Sequence, residues 1–332
     1  MAIVSITKKS DQPKYKQIVT SIENAIVNGV LKKGDQLPSL NVVKNKHKVS
    51  RDTVLAAFKE LKNRGIIHSV VGKGYYVSTE DIVVKQKVFL LFDEFNSFKE
   101  DLYNSFLENL DETFQVDIFF HHFNQEVLQK LINHSLGNYT YYVIMPANLT
   151  GVKNIIKELP EDRVYILDQV PKELEKYPAI YQDFKNDIQK GLQSGFTSIQ
   201  KYKKIVLLFS PQKQPIQLLE GFKKFCVDFK INYEIIASIK DRVPKEGEIY
   251  IVFEDKNLIK IIKKIKETNL ELSKNIGIIS YNDTLLKEVV ADGITTISTD
   301  FKLMGKQLAE MITTNRKESI ANTSKLILRK SI

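Results

Sequence analysis

The chain has 332 residues, enough for two or three domains, and its formal net charge is +9. Cys226 is the single cysteine, which excludes a disulfide within the chain and fits a reduced cytoplasm. The apolar runs are far shorter than the roughly 20 residues of a membrane-spanning helix, and no signal peptide is evident. We therefore expect a cytoplasmic protein without a membrane partner.

The positive charge is concentrated at the amino end of the chain. Residues 1–80 contain 14 Lys and Arg against 6 Asp and Glu, whereas the remaining residues contain 35 against 34. Clustered cations of this kind neutralise the phosphates of nucleic acids. A basic block can also bind a membrane surface, but no basic amphipathic helix or lipidation motif accompanies it. The first 80 residues are therefore a candidate DNA-binding segment.

Three helices and a hairpin are predicted within this segment. The first helix has apolar residues at helical spacing from Tyr15 to Ile26. The second and third begin at Ser39 and Ser50, because a serine at a helix start can accept a hydrogen bond from an unpaired backbone amide. The third helix has one apolar face, formed by Val54, Ala57, Phe58 and Leu61.

The third helix and the hairpin after it have the features of a winged helix-turn-helix. Arg51 and Thr53 lie in the first turn of that helix, the part of a recognition helix that meets base edges in the major groove. Two β-prone runs, residues 66–71 and 75–77, follow and are joined by Gly72-Lys73-Gly74. This pattern predicts a hairpin with a cation at its tip, suited to a phosphate or a narrow minor groove.

Together these motifs resemble the GntR-type winged-helix domain of bacterial transcription factors, over residues 15–77. The resemblance is based on Leu37-Pro38-Ser39, on the hexad at residues 49–54 and on the Gly-Lys-Gly wing. It implies operator DNA as a partner and a set of DNA-binding residues: Ser39, Lys44, Lys48, Ser50, Arg51, Thr53, Lys73 and Gly74. Asn41 and Leu55 depart from the family, which commonly has arginine at both positions.

The rest of the chain has the pattern of an α/β protein. Residues 1–78 are predicted to form the first domain, 79–86 a linker and 87–332 a second domain. Predicted strands are 87–92, 115–120, 141–145, 163–167, 204–209, 233–236, 249–253 and 275–280; predicted helices are 101–112, 125–136, 185–201, 217–230 and 256–269. The alternation predicts parallel sheets covered on both faces, and two sets of about four strands predict two lobes.

The closing segment, residues 276–309, resembles the end of the LacI-type, periplasmic-binding-protein-like sensor domain. The matching motifs are Asn282-Asp283 at a strand end, Thr295-Thr296, and Met304-Gly305 in a helix. The resemblance implies that the chain crosses between the lobes three times, around residues 169–180, 297–301 and 319–325. Lobe 1 would comprise about 87–175 and 299–322, and lobe 2 about 178–297 and 324–330, with a sugar bound between them.

Polar side chains follow the predicted strands, where ligands of open α/β sheets bind. They are rich in carboxylates, amides and aromatic rings and poor in arginine, which favours a neutral polyhydroxylated ligand over a phosphorylated one. The candidate ligand-binding residues are Asp93, Phe95, Asn96, Asn148, Asp168, Gln182, Asp183, Glu254 and Asn282. By the resemblance, Asn282 and Asp168 stand where the family has ligand-binding aspartates. Strand-end Asp and Asn residues also cap helices, and Phe95 also fits a core, so these alternatives stay open.

The sequence does not predict a metal, a cofactor or a catalytic site. His121 and His122 are adjacent on a strand and face opposite sides, and no carboxylate or cysteine is spaced to complete a site with His134. Phosphate-binding glycine loops and a nucleophile elbow are also missing from the sequence. The alternative is an enzyme on an α/β scaffold with a DNA-binding appendage; GntR-type domains are also fused to aminotransferase-like domains that use pyridoxal phosphate, but these need a longer chain.

The sequence therefore predicts a ligand-controlled transcriptional regulator, a repressor that binds operator DNA as a homodimer. Two-fold symmetry would pair two half-sites, and the ligand would alter lobe closure and so the spacing of the two winged helices. Lobes that bind another protein, or that have lost their ligand, are a third possibility.

Overall fold

The computed structural model describes residues 3–7, 12–82 and 85–332. Residues 1–2 and 8–11 of the predicted first domain, and residues 83–84 of the predicted linker, lie outside the described residues.

The amino-terminal domain is a small helical unit with a β-hairpin. It consists of α1 (Lys14–Val27), α2 (Leu40–His47), α3 (Arg51–Asn63) and the antiparallel strands β1 (Ile67–Val70) and β2 (Gly74–Val77). The predicted apolar face of α3 is fully buried and packs in one core with α1. Both predicted serine caps are confirmed, because Ser39 Oγ accepts from the Val42 amide at 3.3 Å and Ser50 Oγ from the Thr53 amide at 3.1 Å.

Two further units, which we call lobes, each contain a six-stranded sheet. The first part of lobe 1 comprises β3 (Gln86–Phe92), α4 (Ser97–Glu108), β4 (Phe114–Phe120), α5 (Gln125–Ser135), β5 (Tyr141–Ile144), α6 (Val152–Ile156), β6 (Val164–Asp168) and β7 (Ala179–Tyr181). Lobe 2 comprises α7 (Phe184–Ser194), α8 (Phe196–Ile199), β8 (Lys204–Leu208), α9 (Ile216–Asp228), β9 (Tyr233–Ile236), β10 (Glu248–Val252), α10 (Asp255–Lys266), β11 (Gly277–Tyr281), α11 (Leu285–Val289) and β12 (Thr295–Thr299). The chain then adds α12 (Phe301–Thr313) and β13 (Ser319–Ala321) to lobe 1 and β14 (Ser324–Ile327) to lobe 2.

The sheet of lobe 1 has the order β13-β7-β6-β5-β3-β4 and is parallel throughout. The sheet of lobe 2 has the order β14-β12-β11-β10-β8-β9 and is parallel except for β14, which runs antiparallel to β12. The predicted α/β fold with two parallel-sheet lobes is therefore confirmed. The prediction of about four strands in each lobe was too low, because β7, β12, β13 and β14 join the sheets beside the crossings.

The chain crosses between the lobes at residues 181–184, 299–301 and 321–324. The predicted start of lobe 2 near residue 178 is wrong, since β7 pairs with β6 and β13 in the sheet of lobe 1. The physical reason is that Ala179 and Ile180 are buried in the core of that lobe. The predicted helix at 185–201 is also interrupted, because Gly195 separates α7 from α8.

Close contact between helices holds α12 on lobe 1 after the second crossing. A Cβ atom placed on Gly305 of α12 would lie 2.3 Å from the Leu102 carbonyl oxygen of α4. The two helix backbones therefore approach as closely as a residue without a side chain allows.

Within the described residues, no helix is both long enough and apolar enough to cross a membrane.

Candidate DNA-binding surface and ligand cavity

The amino-terminal domain exposes cations from three of its elements. Lys44 of α2, Lys48 directly after α2, Arg51 in the first turn of α3 and Lys73 at the tip of the hairpin all have exposed side chains. The hydroxyls of Ser50 and Thr53 instead bond each other at 2.7 Å at the start of α3. Among the predicted DNA-binding residues, the cations are therefore free to meet phosphates or bases, and the hydroxyl groups already have a structural role.

The hairpin is held to the rest of the domain by a residue that the sequence did not indicate. Gln36 Nε2 donates to the Lys73 carbonyl oxygen at 2.6 Å. Gly74 has a φ of +117°, and a Cβ atom there would lie 3.2 Å from the same Gln36 nitrogen. Gly74 thus shapes the turn that presents Lys73, and glycine suits this backbone conformation.

Asn41 and Leu55, the two departures from the family, are both exposed beside this cationic surface. Leu55 lies on α3 with 39% of its surface exposed. An exposed leucine offers no hydrogen bond to a phosphate, so any recognition at this position would rely on apolar contact.

Two adjoining cavities lie between the lobes. Cavity A has a volume of about 620 Å³ and cavity B of about 670 Å³, and they share Gln169, Gln182, Phe184 and Gln214 in their walls. Of the predicted ligand-binding residues, cavity A is lined by Asp93, Asn96, Asp168, Gln182, Glu254 and Asn282, and cavity B by Asn148, Gln182 and Asp183. Phe95 lines neither cavity; it is half exposed, with its ring 5.8 Å from that of Phe120.

Asp93 in cavity A is neutralised by a lysine from the neighbouring helix. Its carboxylate forms an ion pair with Lys99 Nζ, and both residues are only 4% exposed. The Glu94 amide also donates to Asp93 at 2.7 Å. No sequence pattern indicates that Lys99 belongs to the cavity, because a lysine on a helix is ordinarily exposed.

Asp168 and Gln182 are hydrogen-bonded to each other at the junction of the two cavities. Gln182 Nε2 donates to Asp168 Oδ1, and Gln182 Oε1 accepts from Thr299 Oγ1 at 2.8 Å. Asp168 has a φ of +74° at the end of β6. Burial raises the pKa of its carboxyl above the ordinary value, although the nearby Lys99 ammonium acts in the opposite direction.

Two polar atoms of lobe 2 are buried at cavity A without a hydrogen-bond partner among the described residues. They are the Tyr281 hydroxyl and Asn282 Oδ1. The backbone at this strand end is fixed from beneath by the buried Lys287, whose Nζ donates to the carbonyl oxygens of Tyr281 at 2.9 Å and Asn282 at 2.6 Å. Lys287 also pairs with Asp255 at 3.1 Å. Unpaired buried polar atoms beside a cavity are suited to hydrogen bonding with a ligand.

Several predicted ligand-binding residues also have the structural roles that the sequence left open. Asn96 Oδ1 caps α4 by accepting from the Lys99 amide at 3.2 Å, and Asp183 caps α7 by accepting from the Asn186 amide at 3.4 Å. Glu254 pairs with Lys213 at 3.0 Å. These residues line the cavities and stabilise the elements next to them.

Other strand-end residues belong to the interior. Asp283 forms a bidentate ion pair with Arg329, in which Nη1 lies 2.6 Å from Oδ1 and Nη2 lies 2.7 Å from Oδ2. This pair holds the segment after β14 against lobe 2. His121 is fully buried with Nε2 2.9 Å from the Met145 carbonyl oxygen, and burial lowers its pKa. The described part of the chain contains no group of three or more His, Cys, Asp or Glu that could hold a metal ion.

The amino-terminal domain is similar to a known family of proteins. Residues 14–77 match the model of a family described as bacterial regulatory proteins, gntR family. The HTH-type transcriptional repressor YtrA of Bacillus subtilis (strain 168) is 34% identical over 76 residues, which are 23% of this chain and 58% of YtrA. The chain thus spans little more than half the length of this curated relative.

Solved structures resemble a larger part of the chain. A dimeric Lac repressor with an 11-residue carboxyl-terminal deletion matches with a TM-score of 0.62 and 13% identity, covering 74% of this chain and 98% of that one. A LacI family transcriptional regulator from Arthrobacter sp. FB24, in complex with lactose, matches with the same TM-score and identity and covers 74% and 99%. At such low identity the likeness concerns the fold. The chain therefore combines an amino-terminal domain that matches the gntR family model with two parallel-sheet lobes that have the same fold as these solved LacI-family regulators.

Proposed function

We propose that this protein is a ligand-responsive, DNA-binding transcriptional regulator, a repressor whose effector is a monosaccharide or a similar polar metabolite. The main observation is that one chain joins a GntR-family domain with exposed cations to a pair of polar cavities between two lobes. The relatives that it matches are regulators, which favours this function over an enzyme on an α/β scaffold.

The DNA contact is proposed for one face of the amino-terminal domain. Arg51 would meet base edges in the major groove, and Lys44, Lys48 and Lys73 would meet phosphates. Ser39, Ser50 and Thr53 would support this surface mainly by capping α2 and α3, and Gly74 by shaping the wing.

The charges around cavity A favour a neutral, hydroxyl-rich effector. Three carboxylates of its wall are paired with lysines: Asp93 with Lys99, Glu254 with Lys213, and Asp255 with Lys287. The Tyr281 hydroxyl and Asn282 Oδ1 supply unpaired polar atoms, and aromatic rings of the wall can cover C–H surfaces of a sugar. The lactose complex of the Arthrobacter regulator, which has the same fold, supports this ligand class.

A homodimer is proposed because a single recognition helix contacts few base pairs and operators pair two half-sites. Lobe 2 offers an apolar surface for a second copy: α11 exposes Leu285 by 81%, Leu286 by 50% and Val289 by 79%. We call these three residues the α11 patch. The solved Lac repressor with the same fold is dimeric, which supports a two-fold assembly here.

The proposal also includes the domain division and the location. Residues 1–78 would bind DNA, 79–86 would link the domains and 87–332 would bind the effector, in the cytoplasm. The first crossing at residues 181–184 would divide lobe 1 from lobe 2.

Two measurements test this function. The full chain is used to select binding sites from random DNA duplexes, and its affinity for a selected duplex is then measured at several salt concentrations. We expect the affinity to fall steeply as salt rises, since bound phosphates release counterions. Thermal melting with a panel of monosaccharides then identifies the effector, because a bound ligand raises the melting temperature. DNA binding that is absent or independent of salt would refute the regulator, and a panel without any stabilising sugar would refute the effector class.

A further inference from the structure

A buried hydrogen-bond network joins the wall of the cavities to all three crossings between the lobes. Gln182 lies in the first crossing and donates from Nε2 to Asp168, at the end of β6 in lobe 1. Its Oε1 accepts from the hydroxyl of Thr299, the last residue of β12 in lobe 2, at 2.8 Å. One amide side chain therefore connects a strand end of each lobe.

Hydrogen bonds also connect the third crossing to the first and second crossings. The Asn322 amide donates to the Tyr181 carbonyl oxygen at 2.7 Å, and Asn322 Nδ2 donates to the Asp300 carbonyl oxygen at 2.8 Å. The Asp300 amide in turn donates to the Thr323 carbonyl oxygen at 3.0 Å. The side chains of this network are shielded from water: Asp168 and Gln182 are each 6% exposed, and Thr299 and Asn322 each 4%.

Gln182 is also the member of this network that lines both cavities. Its donor faces Asp168, which belongs to the wall of cavity A, whereas its acceptor faces Thr299 in lobe 2. A ligand hydroxyl that donates to Asp168 Oδ1 competes with Gln182 Nε2 for the same oxygen. The oxygen and nitrogen of the Gln182 amide lie in one rigid plane. A rotation of this amide that breaks its hydrogen bond to Asp168 therefore also weakens the hydrogen bond that it accepts from Thr299.

We propose that Gln182 is a positioning residue that converts occupancy of cavity A into a change in the crossings, and thereby into lobe movement. This inference rests on the proposed binding of an effector between the lobes. The Gln182 side chain acts through its two polar atoms. Nε2 bonds Asp168 in the wall of cavity A, and Oε1 bonds Thr299 at the second crossing.

The test measures whether Asp168 and Thr299 influence each other through Gln182. Spin labels are attached to exposed positions of the two lobes, through Lys130→Cys and Lys266→Cys, in the full chain without ligand. The native Cys226 is buried, so the labels are directed to the two introduced cysteines. Pulsed electron paramagnetic resonance then gives the distribution of interlobe distances for Asp168→Ala, Thr299→Val and the double variant, with Gln182 and with Gln182→Leu. Gln193→Leu, at an exposed position of α7 that lines neither cavity, serves as the matched control.

With Gln182 present, we expect each single variant to broaden the distance distribution and the double variant to broaden it less than the two effects combined. With Gln182→Leu, we expect a broad distribution that neither further variant changes, while Gln193→Leu keeps the narrow distribution of the wild type. If Gln182→Leu fails to fold, Gln182→Met replaces it, since methionine is close to glutamine in length and has neither the donor to Asp168 nor the acceptor for Thr299. With Gln182→Met, neither the Asp168 variant nor Thr299→Val should change the distribution further. Additive effects in every background, or a narrow distribution in the Gln182 variant, would overturn the proposal.

A second arm separates this proposal from the proposed effector class. A pool of D-glucose, D-galactose, D-mannose, D-xylose and L-arabinose is added to the labelled wild type and to Gln182→Leu. We expect the pool to shift the interlobe distance in the wild type, and in the variant to raise the melting temperature without that shift. A pool that leaves the wild type unchanged would count against the sugar effector, and the ligand-free cycle would still decide the role of Gln182. Equal shifts in both proteins would overturn the role of Gln182 alone.

Discussion

Asp187 illustrates how the surroundings of a single residue set its charge. It lies in the first turn of α7, and one of its carboxylate oxygens is buried without a hydrogen-bond partner among the described residues. Burial, followed by the nearby Asp183 carboxylate, raises the pKa of Asp187 from 3.8 to about 7, although Lys190 opposes this shift. Ionisation of Asp187 is therefore less favourable in the folded protein than in the unfolded chain.

This shift predicts a pH-dependent effect of Asp187→Asn. A carboxyl whose pKa is higher in the folded than in the unfolded state reduces the free energy of unfolding as pH rises from about 4 to about 7. We expect Asp187→Asn to raise the melting temperature by at least about 2 °C at pH 8, with the gain disappearing near pH 4. Thermal melts across this range check it, with the exposed Asp241→Asn as the control. A gain that does not depend on pH would contradict the prediction.

Arg51 and Lys73 are expected to differ in what they contribute to DNA binding. Arg51→Ala should weaken binding to a selected duplex by about 1–3 kcal/mol and relax preference at one base position, because it would remove the proposed base-edge contact. Lys73→Ala should weaken binding to all duplexes alike and reduce the slope of affinity against salt by about 1. Fluorescence anisotropy titrations measure both, with the exposed Lys260→Ala of lobe 2 as control. The assignment fails if Arg51→Ala weakens all sequences equally.

At the scale of elements, the approach of α12 to α4 depends on a single missing side chain. The ideal Cβ position of Gly305 lies 2.3 Å from the Leu102 carbonyl oxygen and 2.8 Å from the Phe106 amide nitrogen. Both neighbours are backbone atoms of a helix, so they cannot yield as a flexible side chain would. The Met-Gly pair that the sequence suggested as a family motif thus has a packing role.

We expect Gly305→Ala to lower the free energy of unfolding by about 1–3 kcal/mol, since the added methyl group forces α12 away from lobe 1. Urea denaturation of the full chain, followed by circular dichroism, measures this change. Lys306→Ala, on the exposed side of the same helix, should stay within about 0.5 kcal/mol of the wild type. Equal stability of Gly305→Ala and the wild type would show that the helices can separate without loss.

At the scale of the whole molecule, the proposed role of the α11 patch would connect assembly to DNA binding. If this patch joins two copies, Leu285→Asp combined with Val289→Asp should convert the dimer to a monomer, because a buried carboxylate at an apolar interface is strongly unfavourable. Affinity for a two-half-site duplex should then fall at least about tenfold, toward that of a single domain. Sedimentation equilibrium measures the mass, and Val243→Asp, at another exposed apolar position, is the control. A dimer that persists would place the interface elsewhere.

The amino-terminal domain was largely predictable from the sequence because its determinants are local. Ser39 and Ser50 cap helices that begin at the next residue, and Gly74 adopts the positive φ that the turn of the hairpin requires. The alternation of strands and helices after residue 86 also predicts two parallel sheets, since hydrophobic periodicity is a property of neighbours in the chain.

Only the tertiary structure decided the place of β7, the pairing of Lys99 with Asp93, and the burial of Lys287 beneath Tyr281 and Asn282. The same holds for the contact of Gln182 with Asp168 and Thr299, which are 14 and 117 residues away in the chain. The physical reason is that a short strand or a lysine takes its role from partners brought close by folding, and no local pattern specifies those partners.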